Sequence, residues 1–291
     1  MPAGHGSDDP RRAAEPLLSL AHLTVLDAHP LELIDAAAAA GFAAVGLRIV
    51  PPMPTDAIVP VIGDAALIRR LNDRLRDTGL RVLDIEAIWL GPQTEVAALE
   101  PALATGRQLG ARCVLAVGND PEASRVVDNF ARLAELAAGF ELAVGLEFIP
   151  YCCTATLGEA RRIIAAAAQP NTGVLLDALH LVRSGGSAAE LELPGAAPIL
   201  YSQICDARGP RPATIEALRR EARAGRYYPG EGELPLAQIL RALPAQLPIA
   251  VEAPCAEYAA LPVAERARRC AAATGAFLES CRIPGADPSA R

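Results

Sequence analysis

No Cys-x-x-Cys pair occurs among the seven cysteines of this 291-residue chain. Their count is odd, and most lie inside or beside apolar runs: Cys113, Cys152, Cys153, Cys205, Cys255, Cys270 and Cys281. That usage argues against a disulfide framework and fits a reducing cytoplasm. Long basic runs are missing too; the densest are "RRAA" and "RRLNDRLR", against a net charge of −7. A broad nucleic-acid footprint is therefore excluded. No apolar stretch reaches the roughly 18 residues of a membrane span without turn or charged residues. The opening "MPAGHGSDDPRRAAEP" has no apolar h-region, so it reads as a disordered leader over 1–16 rather than a signal peptide. A flexible tail is expected over 283–291.

What the chain has in abundance is short apolar runs. Hydrophobic residues make up 52% of it. Eight runs stand out, at 17–26, 43–50, 80–90, 113–119, 142–150, 172–181, 197–207 and 247–254. Each is continuous rather than alternating, as strands buried on both faces are. Helical segments separate nearly all of them: "PLELIDAAAAAG", "DAALIRRLNDRLRDTG", then 94–109, 121–139, 155–168, 235–243 and 263–280. Eight such units predict one α/β domain over 17–282, a single (β/α)8 TIM barrel. A doubly wound sheet would carry a glycine-rich loop after its first strand, and "LTVLDAHPLE" has none. The long irregular stretch is expected at 206–233, after strand seven.

Active sites of such barrels lie at the C-terminal ends of the strands. Glu147 ends strand five, Asp177 strand six and Glu252 strand eight, with Gln203 on strand seven. Carboxylates ending apolar strands are costly to bury unpaired, and three at one mouth repel one another unless a cation lies between them. A divalent metal answers this, and ion pairing with Arg48, Arg208 or Arg226 is the alternative. His180 follows Asp177 by three residues. Glu86 lies on strand three with Trp89 three residues on, and His22 lies at strand one. Cys205 reads as a barrel-layer filler.

The order of Glu on strand five, Asp-x-x-His on strand six, a ligand on strand seven and Glu on strand eight resembles the xylose isomerase-like TIM barrels. These are the sugar phosphate isomerases and epimerases, among them ketose 3-epimerases and 3-dehydroshikimate dehydratases. "AAAAAGFAAVGLR" and "YYPGEGELPLAQIL" are also similar to that family, and the resemblance spans about 17–280. It implies one divalent metal held by Glu147, Asp177, Gln203 and Glu252. The family usually has His where Gln203 stands. Three carboxylates and one amide make an oxygen-only shell, which favours Mn²⁺ or Mg²⁺ over Zn²⁺. The alternative for Gln203 is a hydrogen bond to substrate or to a ligand carboxylate.

The resemblance further implies catalytic roles for Glu147, Glu252 and His180. Arg208, Arg226, Glu86, Trp89 and His22 are the candidate substrate contacts. The reaction expected is isomerisation or epimerisation of a small, sugar-like carbonyl compound through an enediolate. Dehydration of the 3-dehydroshikimate dehydratase type and a non-catalytic ligand-binding barrel are the alternatives. Endonuclease IV-like enzymes share the fold but use many His, and this chain has four. The partner expected is a small-molecule substrate, with no nucleic acid and no membrane; a homo-oligomer stays open. No phosphate-cradling glycine loop stands out, so a phosphorylated substrate is not required.

Overall fold

The computed structural model describes residues 16–52, 56–193 and 197–281. The expected leader, apart from Pro16, and the expected tail lie outside the described residues. Eight strands close into one barrel in chain order. They are β1 (Leu18–Leu20), β2 (Ala44–Arg48), β3 (Arg81–Leu90), β4 (Cys113–Gly118), β5 (Ala143–Glu147), β6 (Thr172–Asp177), β7 (Ile199–Ile204) and β8 (Ile249–Val251). All neighbours run parallel, and β8 pairs with β1 to close the ring. Each predicted apolar run contains its strand, and the barrel is the one those runs predict. Among the described residues no helix is long and apolar enough to cross a membrane.

The helices are α1 (Pro30–Ala40), α2 (Ala65–Thr78), α3 (Glu100–Gln108), α4 (Ala123–Ala138), α5 (Leu157–Ala167), α6 (Ala178–Arg183), α7 (Ile215–Ala224), α8 (Leu236–Arg241) and α9 (Val263–Cys281). Their ends follow local chemistry. Pro30 opens α1, where its missing N–H costs nothing, and Gly41 closes it at φ 86°. Thr156 and Glu159 form a reciprocal capping box on α5. Two expectations need correction. The first apolar run is strand only to Leu20, and His22–Val25 turns into a short 3-10 helix. The stretch 206–233 is not irregular throughout, because α7 lies inside it. Thr214 caps that helix, and only Leu218 and Ala222 bury a face, too little apolar content to stand out in the sequence.

Asp206 anchors the rest of that loop. Its Oδ1 accepts from the N–H of Ala207 and of Leu234, and its Oδ2 from Gly230. Gly232 allows this close packing, since a Cβ there would lie 2.5 Å from Asp206 Oδ1.

Two apolar layers surround the strands. The outer one packs strands against helices. The inner one fills the barrel with Ala44, Leu83, Leu115, Leu175, Tyr201 and Ala250, among others. Polar groups sit within that inner layer. Tyr201 donates to Asp84 Oδ2 at 2.6 Å, while Asp84 Oδ1 has no partner among the described residues. Burial, then the nearby Glu86 carboxylate, holds the Asp84 carboxyl well above the usual range. Gly46 leaves the room, as a Cβ there would lie 2.7 Å from Asp84 Oδ1. Tyr201→Phe would leave Asp84 without any donor. The expected loss is about 1–3 kcal/mol, the scale for an orphaned buried polar group. Equilibrium urea denaturation measures it, and an unchanged midpoint would contradict the pairing.

Candidate functional site

Side chains of a strand alternate between its two faces. Leu175, Tyr201 and Ala250 lie in the inner layer. Asp177, Gln203 and Glu252, two residues further along each chain segment, therefore face the same way. Glu147 ends β5 beside them, with Leu175 as its registered neighbour. Asp177 is registered with Gln203, and Gln203 with Ala250. One rim of the barrel thus gathers all four residues predicted as ligands, and every one of them is buried.

Glu147, Asp177 and His180 come closest together. One donor atom from each lies within 4.8 Å of the others. His180 Nε2 is 3.8 Å from Glu147 Oε1 and 3.9 Å from Asp177 Oδ2. Asp177 caps α6 by accepting from the His180 N–H, and this local turn brings the imidazole back over the carboxylate. Burial, outweighing the Asp177 charge, lowers the His180 pKa to about 4, so the ring is neutral and can offer a lone pair. Two carboxylate oxygens and an imidazole nitrogen at these separations fit one divalent cation, whose bonds run about 2.0–2.3 Å. Gln203 Oε1 is buried without a partner among the described residues. Its amide nitrogen donates to Glu252 Oε1 at 3.2 Å.

Arg226 brings a cation into direct contact with two of these carboxylates. Its guanidinium donates to Asp177 Oδ2 at 2.6 Å and lies 3.1 Å from Glu252 Oε2. It also donates to the carbonyls of Glu252 and Ala222. Asp177 responds: burial pushes its carboxyl up, but Arg226 and then His180 pull it below the usual value. Glu252 is raised by burial, less the effect of Arg226, to about 7. Glu147 has no such partner, and burial together with the Glu252 and Asp177 charges holds it well above the usual range.

A cavity of about 250 Å³ opens above these groups. Glu147, His180, Arg226 and Glu252 line its floor, with Arg48, Trp89 and Asn119 around them. Its apolar wall includes Leu23, Leu115, Ile149 and Tyr151. Arg219 and Arg223 reach it from α7. Tyr151 packs edge-on against the His180 ring at 5.9 Å, and Arg219 lies over Tyr151 at 5.7 Å.

The predicted residues thus divide. Glu147, His180, Glu252, Arg226 and Trp89 line one cavity, and Asp177 and Gln203 lie buried beside it. Glu86 and His22 do not line it. Glu86 is fully buried and pairs with Arg48 at 2.7 Å. His22 Nδ1 accepts from the Arg48 N–H, which leaves Nε2 to donate to the Ala28 carbonyl. Arg208 is exposed, over the Tyr227 ring at 3.9 Å, and is not among the lining residues. Cys205 is buried against Arg226 at 3.5 Å. Sequence reasoning missed Tyr151, Arg219 and Arg223. Tyr151 was within reach, four residues beyond Glu147 in the turn that follows β5. The arginines were not, because their helix was not recognised.

A model of the xylose isomerase-like TIM barrel family matches residues 34–274. No curated protein matches the sequence. Solved structures share the fold. IolI, described with a bound zinc atom, is 19% identical at TM-score 0.75, over 90% of this chain and 98% of that one. The probable 3-DHS dehydratase AsbF of Bacillus anthracis is 16% identical at 0.68, over 88% and 97%. The D-allulose 3-epimerase of a Methylomonas species, in complex with D-allulose, is 17% identical at 0.65, over 91% and 97%. A xylose isomerase-like TIM barrel/4-hydroxyphenylpyruvate dioxygenase fusion protein is longer. At 22% identity and TM-score 0.76 it is matched over 92% of this chain but only 43% of its own. At these identities the likeness shows the fold alone.

Proposed function

The chain belongs to the xylose isomerase-like TIM barrel family, and on that premise we propose a divalent-metal-dependent isomerase or epimerase of a small, polyhydroxylated carbonyl compound. The observation that carries this reading is the meeting of Glu147, Asp177 and His180 donor atoms within 4.8 Å at the barrel mouth. Glu147, Asp177, Gln203 and Glu252 would hold the ion, with Mn²⁺ or Mg²⁺ preferred by so many oxygens. The unpartnered Gln203 Oε1 supports its place in that set. His180 in place of Gln203 would draw the preference towards Zn²⁺. Once bound, the ion supplies positive charge beside the carbonyl and hydroxyl oxygens of the substrate.

The remaining chemistry belongs to side chains. Glu147, as its carboxylate, removes the proton next to the carbonyl. Glu252 lies across the rim and returns a proton at the opposite face. His180 meets the oxygen that gains charge, with Tyr151 packed against its ring. Trp89 and Tyr151 wall the carbon skeleton, and Arg226 lies at its base. The reaction is redox-neutral: one C–H bond breaks and another forms. The free cysteines support a cytoplasmic location for the protein.

One observation favours a second reading, dehydration of a carboxylated substrate. Among the described residues Arg219 forms no ion pair, and it faces the cavity beyond Tyr151. An exposed guanidinium there suits an anionic group. The test is a panel of ketoses and polyhydroxylated cyclic keto acids in D₂O with added Mn²⁺. The expected result is deuterium at the carbon next to the carbonyl, with the product an isomer of the substrate. Loss of water instead would favour the second reading, and no exchange with any member would contradict both.

A further inference from the structure

Metal loading of this site is a competition with a side chain. We propose that Arg226 is a tethered cation that shares Asp177 and Glu252 with the metal, so that the ion binds only as the guanidinium gives way. The inference rests on the metal site proposed above.

Three observations lead to it. First, Arg226 reaches Asp177 Oδ2, which is also the oxygen 3.9 Å from His180 Nε2. Asp177 Oδ1 is already taken by the His180 N–H. A metal approaching the triad therefore meets an oxygen, Asp177 Oδ2, that the Arg226 guanidinium already contacts, and the two positive charges are brought close together. Second, both oxygens of Glu252 are engaged, Oε1 by Gln203 and Oε2 by Arg226. Glu252, expected as a ligand beside Asp177, thus has neither oxygen free, while Gln203 Oε1 stays without a partner among the described residues. Third, the backbone of Arg226 is clamped on both sides. Gly225 bridges Cys255, Tyr227 bridges Asp206, and the Arg226 N–H donates to Pro254. Its root is thus fixed between the segments that follow β7 and β8, so the guanidinium gives way only by rotation of the side chain, off the Ala222 and Glu252 carbonyls as well as the carboxylates.

The electrostatics follow from proximity. A guanidinium 2.6 Å from Asp177 Oδ2 and a metal on the same carboxylate would lie within a few ångströms of each other, where like charges repel strongly even with partial screening. Without metal, the guanidinium offsets the repulsion between Asp177 and Glu252. With metal, that role passes to the ion. Asp177 and Glu252 are therefore compensated with or without the ion, and the site releases metal more readily than its charge alone would allow.

The experiment is calorimetric titration of MnCl₂ into chelator-treated wild type, Arg226→Gln and Arg226→Lys. The expected result is Mn²⁺ bound about tenfold tighter or more by Arg226→Gln, given the repulsion removed. Arg226→Lys, with a shorter reach and no fork, falls between the two. Mn²⁺ should also raise the melting temperature of Arg226→Gln by more than that of wild type. If Arg226→Gln does not fold, Arg226→Lys decides: tighter binding than wild type supports the competition. Equal or weaker binding in a folded variant overturns it and leaves the metal site standing. No binding by any of the three overturns the metal site and the competition together.

Discussion

Glu147→Gln and Glu252→Gln are each expected to lower turnover by about 10²-fold or more, the scale for a lost general acid or base. Both carboxyls line the same cavity, and both are buried. An amide keeps the shape and an oxygen that can still coordinate, but it can neither take nor give the proton. The two variants should differ in one respect. Glu252 is held by Gln203 and Arg226, so its amide would also disturb those contacts. Among the described residues Glu147 forms no ion pair with an arginine, its basic neighbour being His180 at 3.8 Å, and its replacement is the cleaner removal of a base. Steady-state rates on the substrate found in D₂O, beside Mn²⁺ affinities, check the expectation. Variants that bind metal and keep near-full activity would show that these glutamates move no proton.

Asp177→Ala is expected to cost stability as well as metal. Arg226 is 2% exposed and rests on Asp177 and Glu252. Removing Asp177 takes away its shortest contact and the cap of α6 together. Breaking one partner out of a buried ion pair costs about 3–5 kcal/mol. Chemical denaturation in the presence of chelator measures that loss, and Mn²⁺ titration should show binding abolished. Asp177→Asn separates the effects, because its single amide oxygen can keep either the helix cap or the Arg226 contact, but not both. It is expected to recover part of the stability and little of the metal affinity. A fully stable Asp177→Ala would contradict the account of Arg226 as a cation that needs this carboxylate.

The strands were readable because burial on both faces leaves a continuous apolar signature, and all eight runs contain their strands. Glu147, Asp177 and Glu252 were readable for the complementary reason: a carboxylate ending such a run has no place in a core. Helix α7 was not, because it buries little beyond Leu218 and Ala222 and its remaining face is charged. The buried pairs were the least legible. Tyr201 meets Asp84 across 117 residues, and Arg226 meets Asp177 across 49. No local pattern marks either pairing. Arg226 is one of three arginines that the sequence offers as ion-pair partners of these carboxylates, and the bridges beside it to Asp206 and Cys255, which fold its segment inward, single it out.

Anomalous diffraction from crystals grown with MnCl₂ tests the central claim most directly. The account predicts one Mn²⁺ between Glu147 and Asp177, with the Arg226 guanidinium drawn off Asp177 Oδ2. Crystals without an anomalous peak at the barrel mouth, with Arg226 still bridging Asp177 and Glu252 at saturating Mn²⁺, would contradict it.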